Sequence, residues 1–183
     1  MIPNVLIAGC DRPLYYTRID VDDSTVQPTI ESVSGVLNGA AVTIADTPQW
    51  DEENARYALE ALGTEIAAAG TLLLTWKGTD PDGRAFTDTE TVIVLADDSP
   101  DALLLRRVQE FLRLEDNDPT VWMLVGAAKA YVAGAGVTRP DPAEDEEKTA
   151  QYDLAVSLYV SIIFSGGESK LDAAMTAVLL QLR

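Results

Sequence analysis

The chain has 183 residues, 47% of them hydrophobic, with 13 basic and 30 acidic side chains, a net charge of −17, no histidine and one cysteine. Without an imidazole there is no Ser-His-Asp or Cys-His nucleophile and no histidine zinc site, and one thiolate cannot build a metal site alone. Nucleic-acid affinity comes mostly from neutralising phosphates with Lys and Arg, so a surface this acidic argues against a DNA or RNA binder.

The length suits one large domain or two small ones. Residues 1–97 hold 5 basic and 16 acidic side chains, and residues 98–183 hold 8 and 14. Both halves are acidic, so neither is a hidden basic module. Cys10 has no partner for an intrachain disulfide and reads as a small buried or half-buried side chain. The opening MIPNVLIAGCDRP contains a short apolar run but no basic leader, and no run reaches the length of a membrane span. A soluble protein made in the cytosol, with no membrane partner, is expected.

Up to about Leu95 the pattern is mostly strand. Ile30–Val36 and Ala41–Ala45 alternate in part and flank Asn38-Gly39, a hairpin-turn signal. Thr71–Lys77 and Thr87–Leu95 flank Asp80-Pro81-Asp82-Gly83, a second turn. Thr87, Thr89 and Thr91 favour strand through β-branching. Residues 55–69 fit either a strand or a helix, and a strand followed by a turn is preferred. Trp50 and Trp76 fit strand or core positions. Regular short strands and turns point to a small antiparallel sandwich.

Composition shifts at Ala96–Pro100 from Thr/Val-rich to Leu/Ala-rich. Ser99-Pro100-Asp101 reads as a helix start, with Leu104, Val108, Phe111 and Leu112 on one side. Asp118-Pro119 repeats the signal ahead of a helix with Val121, Leu124, Val125, Ala128 and Val132 on one face, stopped by Gly134 and Gly136. Val137–Glu147 reads as a polar, mobile loop. Tyr152–Phe164 is a third helix, in which only Asp153, Ser157 and Ser161 interrupt the apolar run apart from two tyrosine hydroxyls. Spaced four apart, they and Ser165 form one slanting stripe. At about 20 Å this helix is too short for a bilayer and too apolar for a surface, so other protein must cover it. A last helix over 168–183 places Leu171, Met175, Val178, Leu179 and Leu182 together.

Few residues suggest chemistry. Asp20, Asp22 and Asp23 could hold calcium but lack the glycine and final glutamate of an EF-hand, so a solvated turn is preferred. Asp80–Gly83 reads as a turn only. Glu144, Asp145, Glu146 and Glu147 read as a solvated loop, or as a negative lining. Thirty acids make many chance carboxylate pairs, so pairing does not specify a glycosidase. There is no Gly-x4-Gly-Lys phosphate loop. No enzyme, cofactor or metal is expected, a carboxylate hydrolase being the weakest alternative. Trp122 lies off the apolar stripe of its helix, where an aromatic side chain either meets a partner or is buried within the fold.

Leu104–Arg113 with the acidic turn 114–118 resembles the opening helix of tailed-phage head–tail connector proteins, small adaptors that ring the base of the portal. Ala127-Ala128-Lys129-Ala130-Tyr131-Val132 resembles the second helix of that family. A proline-bearing loop, a very apolar third helix and a closing helix ending Leu179-Leu180-Gln181-Leu182-Arg183 complete the likeness, over about residues 100–183. Many members close the third helix with Tyr-x-Asn-Arg-Glu, where this chain has Phe164-Ser165-Gly166-Gly167-Glu168. The preceding half looks like an immunoglobulin-like domain appended to the connector.

The resemblance implies an α+β protein of two domains: an antiparallel, immunoglobulin-like β-sandwich over 1–97 and a four-helix connector domain over 98–183. It implies a virion protein at the head–tail junction, synthesised in the host cytoplasm. Its partners would be its own copies in a homo-oligomeric ring, the portal, and tail or stopper/terminator proteins. DNA would be only a passing polymer, repelled by a negative wall. Interface candidates are Trp122, Tyr152, Tyr159, Ile163 and Phe164. The alternative is an immunoglobulin-like tail or baseplate binding module.

Overall fold

The structure, a computed structural model, describes residues 4–10, 12–19, 26–60, 62–114, 118–166 and 171–182. It is an α+β protein whose residues fall into two compact units, 3–99 and 100–183.

Among the described residues the first unit holds eight strands: β1 (Asn4–Ile7), β2 (Leu14–Tyr16), β3 (Thr29–Leu37), β4 (Ala40–Val42), β5 (Gln49–Asp51), β6 (Arg56–Leu59), β7 (Gly70–Thr79) and β8 (Ala85–Leu95). A single helical turn, α1 (Leu62–Glu65), follows β6, so the ambiguous stretch is a strand and then a short helix. One sheet has the order β1-β8-β7-β3-β4 and the other β2-β6-β5. Leu6, Leu14, Tyr57, Leu59, Leu72, Leu74, Trp76 and Val92 pack in one core drawn from both sheets.

Both expected turns close hairpins. Asn38 and Gly39 take positive φ values of 51° and 86°, matching the twist of β3 and β4. The Asn38 amide also donates to the Ala69 carbonyl and accepts from the Thr71 N–H, both at 3.0 Å, tying the turn to the start of β7. Gly83, at φ 80°, closes the β7–β8 turn, with its N–H on the Asp80 carbonyl at 2.8 Å.

The sheet is not purely antiparallel. β1 runs parallel to β8, from Asn4 opposite Val92 to Ile7 opposite Leu95. No tight turn joins these two strands, so none fixes their direction, and the apolar Val5-Leu6-Ile7 run is buried beside β8. The three-residue strands β2 and β5 are too short for a periodic signal.

The second unit holds α2 (Pro100–Leu112), α3 (Pro119–Gly134), α4 (Glu146–Phe164) and α5 (Leu171–Leu182). The Asp118 carboxylate caps α3 by accepting from the Thr120 N–H at 2.7 Å, and Pro119 fills the first turn, as the sequence suggests. Val121, Val125, Ala128 and Val132 are buried and Leu124 is half-buried, so the expected α3 face is the packed one. On α2, Leu104 and Val108 are buried but Phe111 is 47% exposed, against the expectation that it packs with them.

α4 begins earlier than its apolar run indicates. Asp145 caps it by accepting from the Lys148 N–H at 3.0 Å, and Glu146 and Glu147 occupy its first turn. These residues therefore start a helix instead of belonging to a mobile loop. Carboxylates at a helix N-terminus face its unpaired N–H groups and the positive end of its dipole, which favours helix over coil there.

Two glycines make opposite predictions. A Cβ on Gly78 in β7 would run into the Thr29 carbonyl oxygen and the Phe86 ring. Gly78→Ala should cost about 2 kcal/mol in urea unfolding followed by tryptophan fluorescence. Gly126, within α3, has open space around a built Cβ. Gly126→Ala should stabilise by about 0.5–1 kcal/mol, measured by the helical circular dichroism signal.

Candidate functional site

α4 packs against α2, α3 and α5 of its own chain, burying Thr149, Tyr152, Asp153, Ala155, Val156, Ser157 and Val160. The first half of the polar stripe thus faces inward. The Asp153 carboxylate is buried and receives two arginines. Arg139 donates Nε to Oδ1 at 2.8 Å and Nη2 to Oδ2 at 3.0 Å, and Arg107 donates Nη1 to Oδ2 at 2.8 Å. A fork this close satisfies a buried carboxylate that would otherwise be very costly. The same hydrogen bonds raise the Arg139 pKa above its ordinary value, against the opposing effect of burial. Ser157 donates Oγ–H to the Asp153 carbonyl at 2.8 Å, so the next polar side chain is also satisfied within the helix. Lys129 joins α3 to α2 through Asp101 at 2.6 Å.

Above Asp153 a groove of ≈ 410 Å³ opens between α2 and α4, lined by Arg107, Glu110 and Phe111 on one side and Ala150, Asp153, Leu154 and Ser157 on the other. Leu154 is 52% exposed. An apolar trough with charged edges suits binding.

The interface candidates scatter. Tyr152 is only 3% exposed and its hydroxyl pKa is raised by burial, so it is a core residue and not a surface anchor. Tyr159 is half-buried, its ring 5.2 Å from that of Tyr131. Trp122 and Ile163 are half-buried and Phe164 is 40% exposed. Glu144 is exposed in the turn before α4. One chain covers α4 further than its composition suggests, because three helices surround it and arginines satisfy its acid. On α4 Leu154 and Phe164 stay open, and on α5 Leu180 is 67% exposed.

In the first unit β8 turns two acids inward, between Phe86 and Val92. Asp88 Oδ2 accepts from the Tyr16 hydroxyl at 2.6 Å and from Arg18 Nη1 at 2.8 Å. Arg18 also forks onto Asp80 at 2.7 and 3.0 Å and lies 4.2 Å over the Phe86 ring. Asp80 is therefore more than a turn residue, and the Arg18 hydrogen bonds hold its carboxyl below the usual range. Glu90 accepts from Trp76 Nε1 at 2.9 Å and Asn4 Nδ2 at 3.0 Å, while Tyr16 stacks on Trp76 at 4.4 Å. Burial raises the Glu90 pKa, with the two donors opposing it.

Asp20, Asp22 and Asp23 lie outside the described residues. Among the described residues no group of three or more His, Cys, Asp or Glu side chains converges as a metal site would. No described helix is long and apolar enough to cross a membrane. No protein-family model matches the chain, and no curated protein matches it. Among solved structures, CopC from Methylosinus trichosporium OB3b is similar at 11% identity and a TM-score of 0.36, over 54% of this chain and 89% of that one. A likeness that low bears on neither fold nor function.

Asp153→Ala leaves Arg139 without its partner and should destabilise the helical unit by about 3 kcal/mol, read from urea midpoints by circular dichroism. Arg107, more than half exposed, should cost under about 1 kcal/mol as Arg107→Met. For Glu90 the folded pKa lies above the ordinary 4.5, so its favourable contribution is complete below that value and is lost as pH rises through the folded pKa. Glu90→Gln should then be more stable than the parent near neutral pH, with the gap closing near pH 4; an equal gap at both would contradict it.

Proposed function

We propose that this chain is a structural protein of a tailed-phage virion, a homo-oligomeric ring adaptor between portal and tail. The observation that carries the reading is apolar surface left on the helical unit after α4 has packed, Leu180 at 67% and Phe164 at 40% exposure among it. The connector-like motifs over about residues 100–183 supply the class. In this reading residues 1–97 form an immunoglobulin-like domain and residues 98–183 the connector domain. Tyr159, Ile163, Phe164 and Trp122 belong to the ring contacts. Head-to-tail contacts between copies close into a ring when the rotation allows. The partners are portal and tail or stopper/terminator proteins, and the acidic wall lets DNA pass without sticking. No catalysis is required.

An immunoglobulin-like binding module is the second reading. It is favoured by Val36 and Leu73, cross-strand partners on β3 and β7 that are both exposed.

Light scattering across a concentration series, with electron microscopy of the particles, tests the ring. The expected outcome is a multimer of defined mass that Phe164→Glu weakens by about tenfold or more. A chain that stays monomeric at high concentration and forms no ring with portal protein would exclude it.

A further inference from the structure

The groove between α2 and α4 has a composition that specifies its occupant. α2 contributes Arg107, Glu110 and Phe111, and α4 contributes Ala150, Asp153, Leu154 and Ser157. Exposed Leu103 lies one turn before Arg107 on the same side of α2. Exposed Glu146 and Glu147 lie one turn before Ala150 on the same side of α4. Leu103, Phe111 and Leu154 therefore form the apolar surface, and Glu110, Glu146 and Glu147 form its edge. The one cation in the lining, Arg107, is hydrogen-bonded to Asp153. Arg106 and Arg113 lie one turn either side of Glu110 on α2, so the negative charge presented to an arriving partner is concentrated on the α4 side, at Glu146 and Glu147.

We infer that this groove docks a basic amphipathic helix of another protein. Apolar residues of that helix at i, i+3 or i+4, and i+7 meet Leu103, Phe111 and Leu154, and its Lys or Arg flanks meet Glu110, Glu146 and Glu147. The net charge of −17 steers such a helix toward the chain. A second copy is a poor occupant. Four of the helical unit's eight Lys and Arg side chains are already paired, Arg107 and Arg139 with Asp153, Lys129 with Asp101 and Lys148 with Asp145, and the whole chain carries −17. A sister chain would bring more acid to an acidic edge. The inference does not depend on the ring, whose proposed contacts lie elsewhere on the unit.

The test is fluorescence anisotropy of the full chain with a labelled, designed Leu/Lys amphipathic helix of about 18 residues, long enough for five turns. The probes for comparison are a scrambled peptide of the same composition and a Leu/Glu helix. Near physiological salt the ordered Leu/Lys helix should bind at least about tenfold tighter than the scrambled peptide, and the Leu/Glu helix should not bind. Leu154→Gln and Phe111→Gln, both at half-exposed positions, should each weaken it about tenfold. Joint Glu146→Gln and Glu147→Gln changes should weaken it and flatten its salt dependence. Met123→Gln, at an exposed position on α3 outside the groove, should change nothing. Equal binding of ordered and scrambled peptides would reduce the effect to nonspecific attraction by a polyanion and overturn the proposal. So would groove variants that bind like the parent. If Leu154→Gln lowers the oligomeric mass but leaves peptide binding intact, the groove belongs to a second copy and the proposal is equally overturned.

Discussion

A carboxylate buried in an apolar helix must be neutralised where it lies, and the arrangement around α4 follows from that requirement. Asp153 sits in the apolar run Tyr152–Phe164. Moving its charge out of water would cost several kcal/mol without a partner. Arg139, from the segment before α4, and Arg107, from α2, supply that partner. The pairing fixes how α2 and the approach to α4 meet the helix. It also explains how one chain covers a rod that looks too apolar for its neighbours: part of what needed covering was polar and already satisfied.

The first unit solves a similar problem with different groups. Asp88 and Glu90 are half-buried on the same face of β8 as the core residues Phe86 and Val92. Their oxygens are met by a tyrosine hydroxyl, an indole N–H, an asparagine amide and a guanidinium. The Tyr16–Trp76 stack joins the two sheets beside these acids. Directional hydrogen bonds within an aromatic core specify one packing more tightly than apolar contact alone. These hydrogen bonds tie both acids to side chains of other strands, so they read as architecture.

Satisfied interiors throw the open surface into relief. Leu103, Phe111, Leu154, Phe164 and Leu180 remain exposed on the helices of the second unit. Scattered singly, such residues would be ordinary. Phe111 and Leu154 instead share one groove with a charged edge, and that concentration is what makes it a binding surface.

Periodicity, caps and turns established the α+β class, both hairpin turns, the α3 face and the helix starts at Pro100 and Pro119. Each depends on residues close in sequence, where local sterics and caps act. The parallel β1–β8 pairing was not legible, because no short connection sets its direction. The start of α4 was obscured because an acidic run reads as coil until its position at a helix N-terminus is known. Tyr152 looked like a surface anchor and is core, since period alone does not say which side of an apolar helix its neighbours cover. The Asp153 stripe was visible as a pattern, but its arginines come from 46 residues before it and 14 before it. Only the tertiary structure could choose between water and guanidinium for that acid, because the choice depends on what folding brings within hydrogen-bonding distance.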